Sequence, residues 1–224
     1  MKLKLLILWC CLLALPLTAQ QNPNSSRLEV GLDVLSLFDK NSLPAYSLFG
    51  RYWINPSGEK PAFLRSRLGY QTTNNTTNTT KEFYTYQEFR KQNLLATIGF
   101  QKDIYTTPVT SFYYGADIVH QRLNDLQFLT YGDEVIELAG IETINDNTNI
   151  STSISGFVGF SRKFKGNIAL SFESALYIRQ SSSSYQYSAI FLDGSINNIA
   201  QNSSKKFIAG ANPFYQIVLT ITIR

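Results

Sequence analysis

Few residues in this sequence can do chemistry. There is a single histidine in 224 residues, His120, within Val119-His120-Gln121-Arg122. A hydrolase or acyltransferase built on it would need a serine within hydrogen-bond reach and an acid to orient the ring. Two positions on, and on the same face of a strand, stands Arg122 rather than a serine, while the run Ser181 to Ser184 is distant in sequence. His120 is therefore the sole catalytic candidate, and a histidine at the rim of a strand is the better reading of it. Both cysteines, Cys10 and Cys11, fall in the leading apolar segment, which leaves carboxylates such as Asp133, Glu134 and Asp146 as the remaining metal ligands. No metal site, cofactor site or phosphate loop is expected from these residues.

Charge is scarce, at 16% Asp, Glu, Lys and Arg, yet some of it recurs at alternate positions in apolar stretches. In Leu28-Glu29-Val30-Gly31-Leu32-Asp33-Val34 the acids oppose an aliphatic face, and Arg65 and Arg67 sit between Leu64, Ser66 and Leu68 in the same way. Alternation of period two marks strands with one apolar and one polar side. Charges turned away from bulk water are tolerable only when paired and hydrogen bonded. The turn formers Asn55-Pro56-Ser57-Gly58-Glu59-Lys60-Pro61 centre a hairpin on Gly58, which sets Arg51 across from Arg65. Two facing arginines repel and need acids. A first hairpin centred near Asn41 sets Gly31 across from Arg51, with Glu29 and Asp33 on the diagonals. The expected inner network is thus Glu29, Asp33, Arg51, Arg65 and Arg67, with Glu173 and Arg179 as a second cluster, its role structural.

The strands that must position these residues follow from the same alternation. They are expected at 27–38, 45–54, 62–72, 83–101, 109–123, 150–164 and 168–180, with a closing strand from Tyr215 onward. In that last stretch Tyr215, Ile217, Leu219, Ile221 and Ile223 share one face, and so apolar a strand needs a partner. Pairing it with the first strand closes the sheet and removes the free edge. Short connections rich in Pro, Gly or Lys at 55–61, 102–108 and 163–167 alternate with long Asn, Thr and Ser-rich ones at 72–83, 124–149 and 181–206, apart from a modest loop at 39–44; the first long one reads as a solvated loop or the flared top of a hairpin, and the second as a loop or a hairpin extension above the membrane. Short turns on one side and long loops on the other is the pattern of a membrane barrel. The fold class is accordingly all-β: a closed antiparallel up-and-down transmembrane β-barrel of eight strands with a packed interior. A ten-stranded form, drawing a hairpin from 126–144 or 184–200, is the architectural rival.

The first residues supply a compartment. Lys2 and Lys4 precede an apolar core from Leu5 to Leu15, then Pro16 and the small Thr18 and Ala19. This has the three parts of a secretory signal and is too short to span a bilayer. Residues 1–20 are read as that signal and 21–224 as one barrel domain. Losing Lys2 and Lys4 takes the formal charge from +4 to +2, with the basic residues dispersed, so no nucleic-acid partner is expected.

The signal, the eight alternating strands, the alternating turn lengths and the apolar last strand together resemble the small outer-membrane β-barrel superfamily, the OmpA/OmpX-like barrels. The Asn, Thr and Tyr-rich style and the Ala19-Gln20-Gln21 start are similar to members from Bacteroidetes-type bacteria. Such barrels usually finish on an aromatic residue, a feature that Thr222-Ile223-Arg224 lacks. The resemblance implies a monomer in the outer membrane of a Gram-negative bacterium. Its partners would be outer-membrane lipids, lipopolysaccharide and the assembly machinery. A non-enzymatic role in envelope integrity or surface contact is expected. The alternatives are a lipid A-modifying barrel enzyme using His120, and a soluble β-sandwich or lipocalin-like binder.

Overall fold

The computed structural model describes residues 28–35, 47–54, 61–77, 84–131, 142–164, 167–191 and 195–223. Eight strands follow in chain order: β1 (Leu28–Asp33), β2 (Ser47–Trp53), β3 (Ala62–Thr77), β4 (Tyr84–Thr106), β5 (Thr110–Tyr131), β6 (Glu142–Lys163), β7 (Ile168–Ile190) and β8 (Ile196–Ile223). Each pairs antiparallel with the next, and β8 pairs with β1 from Ile223 opposite Leu28 to Val218 opposite Asp33. The hydrogen bonding therefore runs round a closed ring, and the last strand meets the first as its sequence requires.

The described residues of 126–144 and 184–200 add no strands. Residues 126–131 and 142–144 lengthen β5 and β6, while 184–190 and 196–200 lengthen β7 and β8. Most of the Asn, Thr and Ser-rich stretches read from sequence as long loops are likewise strand. Thr72 to Thr77 continue β3, 124–131 and 142–149 continue β5 and β6, and 181–190 and 196–206 continue β7 and β8. Such residues tolerate the extended backbone but present no apolar face, so periodicity of hydropathy cannot reveal them. Within the described residues β1 and β2 have six and seven residues, while β8 has 28. The signal segment, the 39–44 loop, the turn residues 55–60 and Asp133 with Glu134 lie outside the described residues.

At the end bearing Leu28 and Ile223 the described turns are tight. Thr107-Pro108-Val109 is closed by Thr107 N–H donating to Thr110 O at 2.7 Å. Between β6 and β7, Asn167 takes the left-handed conformation with φ 68°, which asparagine tolerates better than most residues. Its carbonyl accepts from Thr222 N–H at 3.0 Å, tying this turn to the closing strand.

Which face points where is plain from exposure. Leu68, Ile154 and Leu176 are 63%, 63% and 69% exposed on the outside, whereas Arg65, Gln101 and Tyr113 are 2%, 0% and 1% exposed within. The usual partition is thus inverted. On β7 the outward residues Ile168, Leu170, Phe172, Leu176 and Ile178 form an apolar ladder interrupted only by Ser174, and Gln180, Ser182 and Ser184 follow above it. Across the sheet the change is a continuous row of paired positions, Thr72, Gln92, Asn124, Thr148, Ser184 and Ser203, all polar. A sandwich would bury its aliphatic residues between two layers; here they form the outer wall.

Candidate functional site

Inside the ring, the inward residues of β1 to β8 meet in a charged plug. Glu29 stands directly opposite Arg51, and Arg51 opposite Arg65. The Arg51 to Arg65 register is therefore the one expected from a turn centred on Gly58. The first hairpin is shifted by two residues, since Gly31 faces Phe49 rather than Arg51. The shift is favourable: Nε of Arg51 donates to Glu29 Oε2 at 2.5 Å. Arg67 donates from Nη1 to Asp33 Oδ2 at 2.9 Å, and its guanidinium lies 5.4 Å from the Tyr215 ring centroid.

Arg65 is the centre. Its Nη1 and Nη2 donate to the two oxygens of Glu173, each at 2.8 Å, and Nη2 also donates to Gln216 Oε1 at 2.9 Å. Nε lies 3.2 Å from Asp117 Oδ1. The guanidinium stacks 4.0 Å from the Phe157 centroid and 5.1 Å from that of Phe49. A two-pronged arginine to carboxylate contact in a dry interior is among the stronger charge-assisted pairs, and aromatic faces add to it. Gln101 joins the two arginines, its Oε1 accepting from Arg51 at 3.3 Å and Arg65 at 3.5 Å, while its amide donates to Asp103 at 3.2 Å.

Two glycines make the reach possible. Gly99 lies between Arg65 and Asp117 in one row, and a Cβ there would sit 1.9 Å from Asp117 Oδ1. Gly159 lies between Tyr113 and Glu173, and a Cβ there would meet the Tyr113 ring at 2.3 Å. Each glycine is a window through which a side chain crosses a strand. Tyr113 uses its window to donate from its hydroxyl to Glu173 Oε1 at 3.0 Å.

The second expected cluster does not form. Glu173 is taken by Arg65 from across the ring, and Arg179 instead lies 5.0 Å from the Tyr177 ring centroid. Arg179 faces a small cavity of about 60 Å³ above the plug, lined also by Ser151, Ser153 and Ser155 of β6. Asp117, Gln101, Tyr113, Tyr215 and Gln216 belong to the plug although sequence alone does not single them out. The bulge between Glu173 and Ala175 places both Tyr215 and the adjacent Gln216 inside. Tyr215 then donates to Asp117 Oδ2 at 3.2 Å. Pro213, which has no N–H for the ladder, marks this bulge in the sequence.

His120 points outward. It lies in the row Leu68, Ala96, His120, Thr152 and Gln180, at the upper margin of the aliphatic wall. Its Nδ1 is 3.1 Å from Thr152 Oγ1. Ser182 is two strands away, and Ser181 and Ser183 face inward. The serine and acid that nucleophilic chemistry requires do not converge on this ring. Among the described residues no cluster of His, Cys, Asp or Glu could hold a metal ion, and Asp146 accepts from Thr148 on the outer face.

Above the cavity the strands continue as a curved sheet whose inner face holds an open groove of about 570 Å³. Phe89 and Tyr185 line it together with amide side chains.

No family model matches the chain, and no curated protein matches it. Among solved structures, a major outer membrane protein from Thermus thermophilus is similar over 89% of this chain and 100% of that one, at 8% identity and a TM-score of 0.36. A likeness of that degree carries no argument, so the functional reading rests on this chain's own residues.

Proposed function

We propose that the chain is an integral outer-membrane β-barrel of a Gram-negative envelope, monomeric and non-enzymatic, with a plugged lumen and a role in surface contact or envelope integrity. The observation that carries this reading is the aliphatic outer wall. On β7 it runs from Ile168 to Ile178, which is the length of about 9–11 residues that a tilted strand needs to cross hydrocarbon. An outer surface this apolar is costly in water, at roughly 25 cal/mol for each Å² left wetted, and lipid removes that cost. Hydrocarbon in turn demands that every backbone group find a partner within the protein, a demand that the closed pairing of the eight strands serves.

The partners that follow are outer-membrane lipid, lipopolysaccharide at the polar margin, and the machinery that inserts such barrels. Residues 1–20 would serve as the export signal. The plug weighs against a pore, because the guanidinium of Arg65 and its acids occupy the middle of the lumen. Heat-modifiable migration on a gel, combined with detergent-dependent extraction from envelopes, tests the reading. A folded form that migrates apart from the boiled one and needs detergent is expected; a mature chain monodisperse in plain buffer would overturn it. Planar-bilayer recording should give no steady ohmic channel.

A further inference from the structure

The groove in the upper sheet is built from two adjacent inner rows. One row runs Asn75, Phe89, Gln127, Asn145 and Tyr187 across β3 to β7; the next runs Thr73, Lys91, Asp125, Asn147 and Tyr185. Phe89 and Tyr185 are 38% and 40% exposed although they face the concave side. Large rings left uncovered inside a concavity offer flat apolar faces, and the amides beside them offer both donors and acceptors. Asn145 already shows this double use: its Oδ1 accepts from the Tyr185 hydroxyl at 3.0 Å and its Nδ2 donates to Gln127 Oε1 at 3.4 Å.

The charges of the groove are matched internally. Within it Lys91 Nζ lies 3.8 Å from Asp125 Oδ1; Arg90 alternates with Phe89 and Lys91, so its side chain pairs with Glu88 on the outer face, Nη2 to Oε1 at 3.2 Å. Among the described residues Lys91 and Asp125 thus offset one another, which favours a neutral ligand, and a wholly apolar one would strand the amides without partners. The volume of about 570 Å³ lies within the range of about 300–1,000 Å³ of small-ligand sites rather than of flat protein contacts. Phe89 on β4 and Tyr185 on β7 stand three strand spacings apart, roughly 14 Å along the sheet at about 4.8 Å each. That span suits a short chain of units with alternating apolar faces and hydroxyl edges.

We infer that this groove binds a neutral carbohydrate chain, with Phe89 and Tyr185 stacking on sugar faces and Gln127, Asn145 and Asn147 hydrogen bonding to hydroxyls. The inference rests on the membrane reading only for the groove's access to the cell exterior. The chain could be a free oligosaccharide or the polysaccharide of the membrane's own lipopolysaccharide, since both present the same chemistry.

The test is isothermal titration calorimetry on the full mature chain in detergent. One arm uses maltoheptaose, cellohexaose and a mannan oligosaccharide; the other uses deacylated polysaccharide from the producing bacterium's lipopolysaccharide. Saturable binding in either arm is expected, and the arm that responds identifies the source. Tyr185→Ala and Phe89→Ala should each weaken it about tenfold or more. Tyr185→Phe, which keeps the ring and loses one hydroxyl, should weaken it less. Heat-modifiable migration of each variant checks that it has folded. Absence of binding in both arms, or binding unmoved by Tyr185→Ala and Phe89→Ala in folded protein, overturns the inference. The same preparation judges the membrane reading separately: a chain that needs no detergent ends that reading while the titrations still decide what the groove takes.

Discussion

The lower and upper interiors are made by the same strands, yet they obey opposite rules. In the lower one, β1 and β2 complete the ring, and three arginines lie at most 5% exposed against acids from three different strands. In the upper one the inner face carries neutral amides, hydroxyls and half-exposed rings, with Lys91 and Asp125 paired at 3.8 Å. Closure explains the contrast. A charge withdrawn from water costs several kcal/mol unless it is matched, so each cation of the sealed part must be held against acids in a fixed geometry. The open part stays wet, so its polar groups are free to exchange water for a ligand. One half is fixed by its electrostatics, and the other is available for recognition.

The largest expected effect comes from breaking the sealed half at its centre. Arg65→Ala leaves Glu173 and Asp117 buried without their cation and should cost about 3–5 kcal/mol. The check is urea unfolding of the detergent-solubilised barrel, followed by the shift between folded and unfolded gel bands. Pairing Arg65→Met with Glu173→Leu should cost clearly less than Arg65→Met alone, because no orphan charge remains at Glu173. An equal loss in the single and double variants would mean that the plug is ordinary packing rather than an ionic lock.

Next in size is Gly99→Val, which closes the window between Arg65 and Asp117. Overpacking of this kind costs about 1–3 kcal/mol, and here it also displaces Asp117 from the arginine. In an Asp117→Asn background much of the added loss should disappear, which the same unfolding measurement resolves.

How much of this was legible differs between the halves. The alternation of Leu28 to Val34 and of Leu64 to Leu68 fixes which side chains turn inward, and the Pro and Gly around Gly58 fix one register. Asp117 alternates onto the inner face of β5, but its partner Arg65 is two strands away, with Gly99 of β4 between them, a distance that alternation along one strand cannot bridge. Sequence periodicity assigns faces; it does not say which residues meet across a lumen. That is why Glu173 looked like the neighbour of Arg179 on its own strand and is in fact bound to Arg65. The first hairpin's register differs by two residues from the Asn41-centred expectation, because Asp39, Asn41, Ser42 and Pro44 offer several turn centres rather than one. The upper sheet was hidden for another reason. In Ser181 to Tyr187 both faces are polar or aromatic, so strand and solvated loop have the same hydropathy signature. Only pairing with β6 and β8 distinguishes them.

A smaller effect should separate Arg179 from the three plug arginines. It is partly exposed, lies beside a cavity rather than in the sealed network, and its stacking on Tyr177 is its principal observed contact. Arg179→Ala should lower stability by no more than about 1 kcal/mol, the scale of a single cation over an aromatic ring. A loss as large as that of Arg65→Ala would move the boundary between the two interiors upward, past the serine-lined cavity.

The smallest effect belongs to His120, which lies outside both interiors. Its ring faces away from the lumen, its observed partner is the hydroxyl of Thr152, and the neighbouring outward positions on its strand are Ile118 and Arg122. A base in acyl transfer would need a nucleophile in reach and an acid behind it, and neither the inward Ser181 and Ser183 nor Ser182 two strands over can supply the first. His120→Ala should therefore shift stability by less than about 0.5 kcal/mol, as for a surface substitution. The acyl pattern of lipid A should be the same in strains carrying either form. A changed acyl pattern would place chemistry on the outer wall and overturn the non-enzymatic reading. An unchanged one leaves recognition to the open groove, because the ionisable groups at the centre of the sealed half are engaged with one another.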